Sequence, residues 1–475
     1  MRIFILNPSI RDEQFGRFAA LLEPMPCIGV AYVATFLSKA GHEVLAYDDF
    51  ALRGGATGVL AAMETFKPQV FAASVLTPVA TDIKALLRKI KDRWPDIKMF
   101  LGNIHADLFP EEFLDVADAV VHGEGEHASV ELVKAWEEGR SGEGIAGVTL
   151  RVGDQLRTGP KRALPTNLDA YPFPDWGLLP YSRYSLLPLG TIQKPIVAIA
   201  ASRGCPFRCT YCSIENQGKI YRKRSIKNVV DEIEYGVRTW GIKQYGFMDP
   251  IFPMGPKHGI EFSKEMIRRG LNDKIVWLAE CRTDVVDKES LVWLKKSGCR
   301  RMVFGIESGV DTLLKAVKKQ NTADRSRQTI QWCREVGITT VGLFMIGLPN
   351  ETPEQTQQTI EYACSLELDF AKFAITVPFP GSELYREQVA SGILTRKDWE
   401  NYTTFNPDQN RIVVASQVQS PDQLLQSLRE ATFRFYMRPR LIARQLVKIR
   451  SIDARQMAAG IWSVIPDARR LIMDV

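Results

Sequence analysis

"IVAIAASRGCPFRCTYC" (residues 196–212) runs from an apolar stretch straight into a loop holding three of the chain's eight cysteines. Its first six residues read as a short buried strand. Cys205, Cys209 and Cys212 therefore crowd together where that strand delivers its loop. A structural zinc site normally takes four ligands, and no further Cys or His occurs before His258. The flanking Arg203, Gly204, Pro206 and Arg208 are not the neighbours of cysteines buried for packing.

The strand is the first of a series. "QYGFM" (244–248), "KIVWLAE" (274–280), "RRMVFGI" (300–306), "ITTVGLFMIG" (338–347) and "FAKFAIT" (370–376) are further strand candidates. Helical periodicity at 226–240, 288–297, 323–336 and 353–367 separates them. Six strand–helix repeats predict a (β/α)6 sheet curved as a partial TIM barrel over 191–390, with functional residues at the strand C-terminal ends. From about 391 to 475 the alternation fades into a mostly helical region.

On the N-terminal side, "LPTNLDAYPFPDW" (164–176) carries three prolines, and 146–190 reads as a linker. Before it, "RIFIL" (2–6), "EVLAY" (43–47), "VFAAS" (70–74), "KMFLG" (98–102) and "AVVHG" (119–123) alternate with helical patterns such as 29–40 and 79–94. This is the signature of a Rossmann-like α/β domain over 1–145, a parallel sheet covered on both faces. Ligands bind such sheets outside the strand C-termini, here the loops "NPSI" (7–10), "SVLTP" (74–78), "GNIHA" (102–106) and "HGEGEHAS" (122–129). No G-x-G-x-x-G follows the first strand, which excludes the nicotinamide fingerprint.

With 475 residues, 45% of them hydrophobic and 24% charged, the chain has the composition of an ordinary globular protein of roughly three domains. The N-terminal apolar run is too short for a signal peptide, and no apolar run reaches the roughly 18 residues of a spanning helix. A cytoplasmic location with reduced cysteines is expected. The net charge of +6 lies largely in residues 421–475, with ten Lys or Arg against five Asp or Glu. The near-neutral remainder argues against a broad nucleic-acid surface.

The C-x3-C-x2-C spacing has its own chemistry. Three thiolates can hold three irons of a 4Fe-4S cluster and leave the fourth iron open for a substrate or cofactor. Arg203 and Arg208 are expected to favour the thiolates and offset the cluster's negative charge. The motif resembles that of the radical S-adenosylmethionine (SAM) superfamily, C-x3-C-x-Φ-C with an aromatic residue at Φ, here Tyr211. The resemblance implies that SAM chelates the open iron and is cleaved to a 5′-deoxyadenosyl radical, with a flavodoxin- or ferredoxin-type electron donor. "FGIESG" (304–309) resembles the family's fourth-strand motif, implying SAM contacts from Glu307 and Ser308. "FMIGLPNET" (344–352) resembles the fifth-strand motif at the adenine site, with Gly347 and Pro349. "GFMDPIF" (246–252) resembles the F-x-D-D-x-F segment, but Pro250 replaces the second Asp, so only Asp249 remains there as an implied SAM contact, beside Tyr211 of the cysteine motif.

Joined to such a core, the first domain resembles the cobalamin-binding domain of cobalamin-dependent radical SAM enzymes. The supporting segments are "NPS" (7–9), 27–44, "LGNIHADLFPEE" (101–112) and "VHGEGEHAS" (121–129), so the resemblance covers about residues 1–390. It implies cobalamin contacts from Pro8, Ser9, Ser74, Leu76, Thr77, Gly102, Asn103, His105, Gly123, Glu124 and Gly125. The small residues let backbone approach a large flat ligand. The D-x-H-x-x-G motif, whose His ligates cobalt from below, does not occur among the five histidines (42, 105, 122, 127 and 258). The loop around Leu76 is therefore the expected cover of the lower face, and His105 a hydrogen-bonding residue near the corrin. The related tRNA methylthiotransferases need three cysteines in the first domain, and only Cys27 exists.

The segment 429–451, with seven Lys or Arg interleaved with Phe433, Phe435, Tyr436 and Leu441, reads as a basic amphipathic helix. It would either pack on the barrel or rest on an anionic membrane surface. It also resembles the tails of family members acting on tetrapyrroles and polycyclic isoprenoid lipids. The expected activity is methylation of an unactivated carbon of a small-molecule or lipid substrate. The alternatives are an anaerobic oxidative cyclase of the Mg-protoporphyrin monomethyl ester type and a non-catalytic iron–sulfur and cobalamin sensor.

Overall fold

The computed structural model describes residues 1–10, 24–185, 192–214, 220–404 and 412–448. Two sheets organise them. The first takes β1 (Arg2–Asn7), β2 (Glu43–Asp48), β3 (Val70–Ser74), β4 (Lys98–Gly102) and β5 (Ala119–Val121), all parallel, in the order β2-β1-β3-β4-β5. Ile3 to Leu6 and Val70 to Ala73 are buried on both faces, as parallel strands under helices must be.

The expected linker differs from its reading. Residues 148–158 form β6 (Val148–Val152) and β7 (Gln155–Thr158), an antiparallel hairpin that extends the first sheet beyond β5. Its two-residue turn is Gly153–Asp154, with Gly153 at φ +58°, a hairpin signal hidden by the very short strands. Residues 159–185 then follow in short 3-10 turns, and bury Trp176, Leu179 and Tyr184 in the core instead of lying on the surface.

The second sheet contains β8 (Ile196–Ile199), β11 (Gln244–Phe247), β12 (Val276–Cys281), β13 (Cys299–Glu307), β14 (Thr339–Ile346) and β15 (Phe370–Ile375). They pair in strict chain order, all parallel. β8 and β15 do not meet, so the barrel stays open. The excluded members, β9 (Ser202–Arg203) and β10 (Arg222–Lys223), form a separate antiparallel pair. This pair closes the base of the cysteine loop.

The C-terminal region covers the barrel's open edge. Helix Pro421–Tyr436 packs along β15, where the Tyr436 hydroxyl donates to the Ala371 carbonyl at 2.8 Å and accepts from its N–H at 3.3 Å. A side chain thus occupies the place of a neighbouring strand. The turn Trp399–Asn401 instead docks on the first domain, with Trp399, Tyr402 and Val413 in the same apolar cluster as Phe113 and Leu101. No helix among the described residues is long and apolar enough to cross a membrane. Of the basic tail, helix Pro439–Lys448 is described; residues 449–451 lie outside the described residues.

Candidate active site

The cysteine loop begins at Gly204 (φ +79°), is anchored from two sides and is tightened by a turn of its own. The Thr210 N–H donates to the Val317 carbonyl (3.1 Å), the Leu384 N–H to the Thr210 carbonyl (2.9 Å), and the Cys212 N–H to the Cys209 carbonyl (3.1 Å). Beneath it, buried Asp249 accepts from the Ala201 N–H (3.0 Å) and the Ser202 hydroxyl (2.5 Å). Asp249 was expected to face SAM; its carboxylate instead fixes the corner from which the cysteine loop departs. Burial pushes Asp249 up to about 7.

The three thiols lie close enough to feel one another electrostatically. Burial raises Cys205, and pushes Cys212 up to about 11. Arg282, at the C-terminal end of β12, and buried Lys319 oppose that shift at Cys205. These are the site's cations. Arg203, expected in that role, points away. Its guanidinium lies between the Tyr32 and Tyr171 rings (5.0 and 4.9 Å to the centroids) and pairs with Glu126 (2.6 Å) and Glu124 (3.1 Å), while Arg208 is exposed. Arg282 stacks on Phe207 of the loop itself, 3.7 Å from the ring centroid, and donates to the Lys319 carbonyl at 2.5 Å. Its place at a strand C-terminus was readable; Lys319 in "VKKQN" looked like any solvated lysine.

Around this loop stand the other residues expected at SAM. Glu307 ends β13 at φ +70°, after a register shift against β14. Its carboxylate turns back to the Lys319 ammonium at 2.7 Å, and that ammonium also lies 3.5 Å from the Tyr211 hydroxyl. A Cβ at Gly305 would fall 2.5 Å from the Glu307 carboxylate, so glycine makes room for this fold-back. Ser308 is buried and bonded to Thr359 at 2.9 Å, which assigns its hydroxyl to the loop's own support. Gly347 (φ +76°) brings its loop against Leu424, and Pro349 is half-buried beside it.

In the first domain the predicted loops all leave strand C-termini, but their side chains divide into two sets. Ser9 bonds Asp49 at 2.5 Å beside half-buried Pro8. Ser74 accepts from Asn103 at 2.9 Å; Asn103 takes the unusual backbone φ +76° and caps its own helix start through the Ile104 N–H (2.7 Å). Leu76 is 44% exposed between buried Val75 and Thr77, an apolar side chain offered outward from the sheet's ligand edge. A Cβ at Gly123 would meet nothing within 4 Å and one at Gly102 only the Val121 carbonyl, so that edge is open there, whereas Gly125 faces Val121, Ser129 and Val33.

The other set is internal. His105 has no exposed surface. Its ring nitrogens contact the Thr77 hydroxyl (3.3 Å) and Glu112 (3.4 Å), and the ring packs on Trp399, 4.8 Å between centroids. It ties loops together and presents no nitrogen outward. Glu124 was expected at cobalamin too, but its carboxylate pairs with Arg203 and Arg222 across the domain interface. Sequence reading considered Glu124 and Arg203 separately and passed over Glu126 and Arg222; nothing in their spacing announces the clamp.

The two loop sets meet. A Cβ at Gly381 (φ +87°), just after β15, would lie 3.3 Å from Leu108, 3.4 Å from Ile104 and 3.5 Å from Ser213. The first domain's β4 loop, the end of the cysteine loop and the exit of the barrel's last strand therefore converge at one point. The donor chemistry fits the implied groups. No three described His, Cys, Asp or Glu side chains are grouped to hold one metal ion, whereas three soft thiols spread over one cation-flanked loop suit a cluster. The exposed Leu76 and the bare glycine edge suit a flat ligand with an apolar face.

Fold and site define an enzyme that joins a cobalamin-binding domain to a radical SAM core, and comparison with known proteins agrees. The B12 binding domain family matches residues 18–133 and the Radical SAM superfamily residues 199–363. The anaerobic magnesium-protoporphyrin IX monomethyl ester cyclase of Rubrivivax gelatinosus is 30% identical, over 82% of this chain and 70% of its own. An uncharacterized methyltransferase of Pyrococcus horikoshii is 29% identical, over 92% of this chain and 94% of its own. The radical SAM methyltransferase TsrM of Kitasatospora setae, solved with cobalamin and a 4Fe-4S cluster bound, shares the fold at a TM-score of 0.67 and 19% identity, covering 91% of this chain and 81% of that one. The chain belongs to the cobalamin-dependent radical SAM enzymes, and its cofactors are a 4Fe-4S cluster, SAM and cobalamin.

Proposed function

We propose that this enzyme methylates an unactivated carbon of a largely apolar small molecule, of the polycyclic lipid or tetrapyrrole kind. The observation that carries the reading is the convergence at Gly381, which turns the cysteine loop and the first domain's ligand edge toward one space. When bound, the cluster supplies the electron that starts radical chemistry on SAM, and cobalamin carries the methyl group.

The chain's own residues divide the remaining work. Cys205, Cys209 and Cys212 hold the cluster, with Arg282 and Lys319 supplying positive charge beside it. Tyr211, Glu307 and the Gly347–Pro349 turn line the place for SAM, and Lys319 holds the Glu307 carboxylate until SAM arrives. Leu76, Asn103, Gly102 at the end of β4 and Gly123 after β5 face cobalamin, with His105 a positioning residue behind them. Ile104 and Leu108 exclude water between the two cofactors. A flavodoxin- or ferredoxin-type protein would supply the electron.

The test is anaerobic reconstitution with iron, sulfide and hydroxocobalamin. The expected result is about four irons and one cobalt per chain, SAM cleavage, and iron loss but cobalt retention in Cys205→Ala. A full iron complement without cobalt would overturn the reading. Oxidative ring closure is the second reading, favoured by the named activity of the Rubrivivax relative. Product mass separates the two, since methylation adds one CH2 and cyclisation does not.

A further inference from the structure

The turn that leaves β5 is tied to the short helix after β4 on one side and to the β6–β7 hairpin on the other. The His122 N–H donates to the Gly147 carbonyl at 2.8 Å. Its ring Nδ1 lies 2.5 Å from Asp107 Oδ1, and Nε2 lies 2.6 Å from the Thr149 hydroxyl. The Gly123 N–H donates to the other oxygen of Asp107 at 3.3 Å. Thr149, buried on β6, lies 2.8 Å from the Thr158 hydroxyl on exposed β7. An ionised carboxylate accepts hydrogen bonds and does not donate them, so Nδ1 carries the proton toward Asp107. In the neutral ring Nε2 then accepts from the Thr149 hydroxyl, and the hairpin thereby selects the tautomer that holds Asp107.

Asp107 matters for what its helix carries. Helix Ile104–Leu108 is five residues long, and its side chains divide three ways. His105 turns inward to Thr77 and Glu112. Ile104 and Leu108 stand beside Gly381 at the exit of β15. Asp107 reaches across to the β5 turn. A single helical turn is too short to be stable by itself, so its rotation is set by these contacts. The Asp107–His122 bond fixes the angle at which Ile104 and Leu108 meet the barrel. The Asp107–Gly123 bond fixes the open backbone at Gly123 (φ +65°).

We propose that Asp107 and His122 are positioning residues for cobalamin, and that the β6–β7 hairpin serves to hold them in place. Their polar atoms engage each other, Gly123 and Thr149, so they act through the turn and the helix and not as ligands of cobalt. The inference rests on the cobalamin contacts proposed above and deepens them: the loops leaving β4 and β5 form one braced surface. With side chains 19% and 22% exposed, the pair is largely shielded from water, which puts the effect of losing its charge-assisted bond at about tenfold.

The test titrates hydroxocobalamin into the cluster-loaded full chain, follows binding by cobalamin absorbance, and measures iron in every sample. His122→Ala is expected to bind about tenfold more weakly with iron content unchanged. Two conservative variants separate positioning from packing. Asn places an amide N–H where Nδ1 stands and keeps the Asp107 bond; Gln reaches the Nε2 position and keeps only the Thr149 contact. His122→Asn should bind within about twofold of the unsubstituted chain, and His122→Gln about as weakly as His122→Ala. Undiminished affinity in His122→Ala, or equal affinity in the Asn and Gln variants, would overturn the proposal. The Asn–Gln comparison decides the matter if the alanine variant does not fold. No cobalamin uptake by the unsubstituted chain would overturn the enzyme reading and this proposal together, whereas uptake without a difference among variants overturns the proposal alone.

Discussion

Replacing Glu124 by Gln should loosen the cysteine loop from a position in a different domain. Glu124 forms an ion pair with Arg203 at 3.1 Å and accepts from Arg222, and its side chain is only 10% exposed, against 15% and 6% for the arginines. Removing one partner of a buried ion pair costs roughly 3–5 kcal/mol. The low end applies, because Arg203 keeps Glu126 at 2.6 Å and Arg222 keeps the Pro165 carbonyl at 2.9 Å. A local loss of about 3 kcal/mol corresponds to a rise on the order of a hundredfold in the opened population. Hydrogen–deuterium exchange of the apoprotein reads this directly. Amides of 122–130 and 200–213 should exchange on the order of a hundredfold faster, while the amides of β14 keep their rates. Unchanged exchange in 200–213 would refute the clamp, and equal acceleration everywhere would reduce it to general destabilisation. Because Glu124 and Glu126 share Arg203, the double Gln variant should deviate from additivity.

Other expectations follow from single contacts. Burial favours the protonated form of Asp249, raised from 3.8 to about 7, so its contribution is complete below about pH 4 and is lost as pH rises through about 7. The apoprotein should therefore melt lower at pH 8 than at pH 6, and Asp249→Asn, which cannot ionise, should show a smaller difference. Gly347→Ala would place a Cβ 2.8 Å from Leu424 at φ +76°; strain and overpacking together should cost about 2–4 kcal/mol in chemical denaturation. Tyr436→Phe removes the hydroxyl that bonds both Ala371 groups, and should cost about 1–3 kcal/mol while speeding exchange along β15.

Much of the site was readable because it is local in sequence. The cysteine triad, Tyr211, and the motifs at Glu307 and Gly347 each sit within a few residues of a strand end, and strand ends show as breaks in apolar periodicity. The predicted strands lie within about two residues of those observed; the hairpin β6–β7 and the pair β9–β10 went unread because their strands are too short for alternation to register. What failed was direction. Asp249, Ser308, His105 and Glu124 stand where the sequence put them, at the ligand ends of strands, yet their polar atoms turn inward to Ala201 and Ser202, to Thr359, to Thr77 and Glu112, and to Arg203 and Arg222.

Sequence alone determined the two α/β units, their order, and three thiols gathered on the loop that leaves the second unit's first strand, because periodicity and short-range spacing carry those properties without any fold. Tertiary structure decided which charges serve the site. Arg203 and Arg282 are equally cationic on paper, and each pairs with carboxylate, Arg203 with Glu124 and Glu126 and Arg282 with Asp284; stacking on Phe207 keeps Arg282 beside the thiols, whereas Arg203 is drawn to the domain interface.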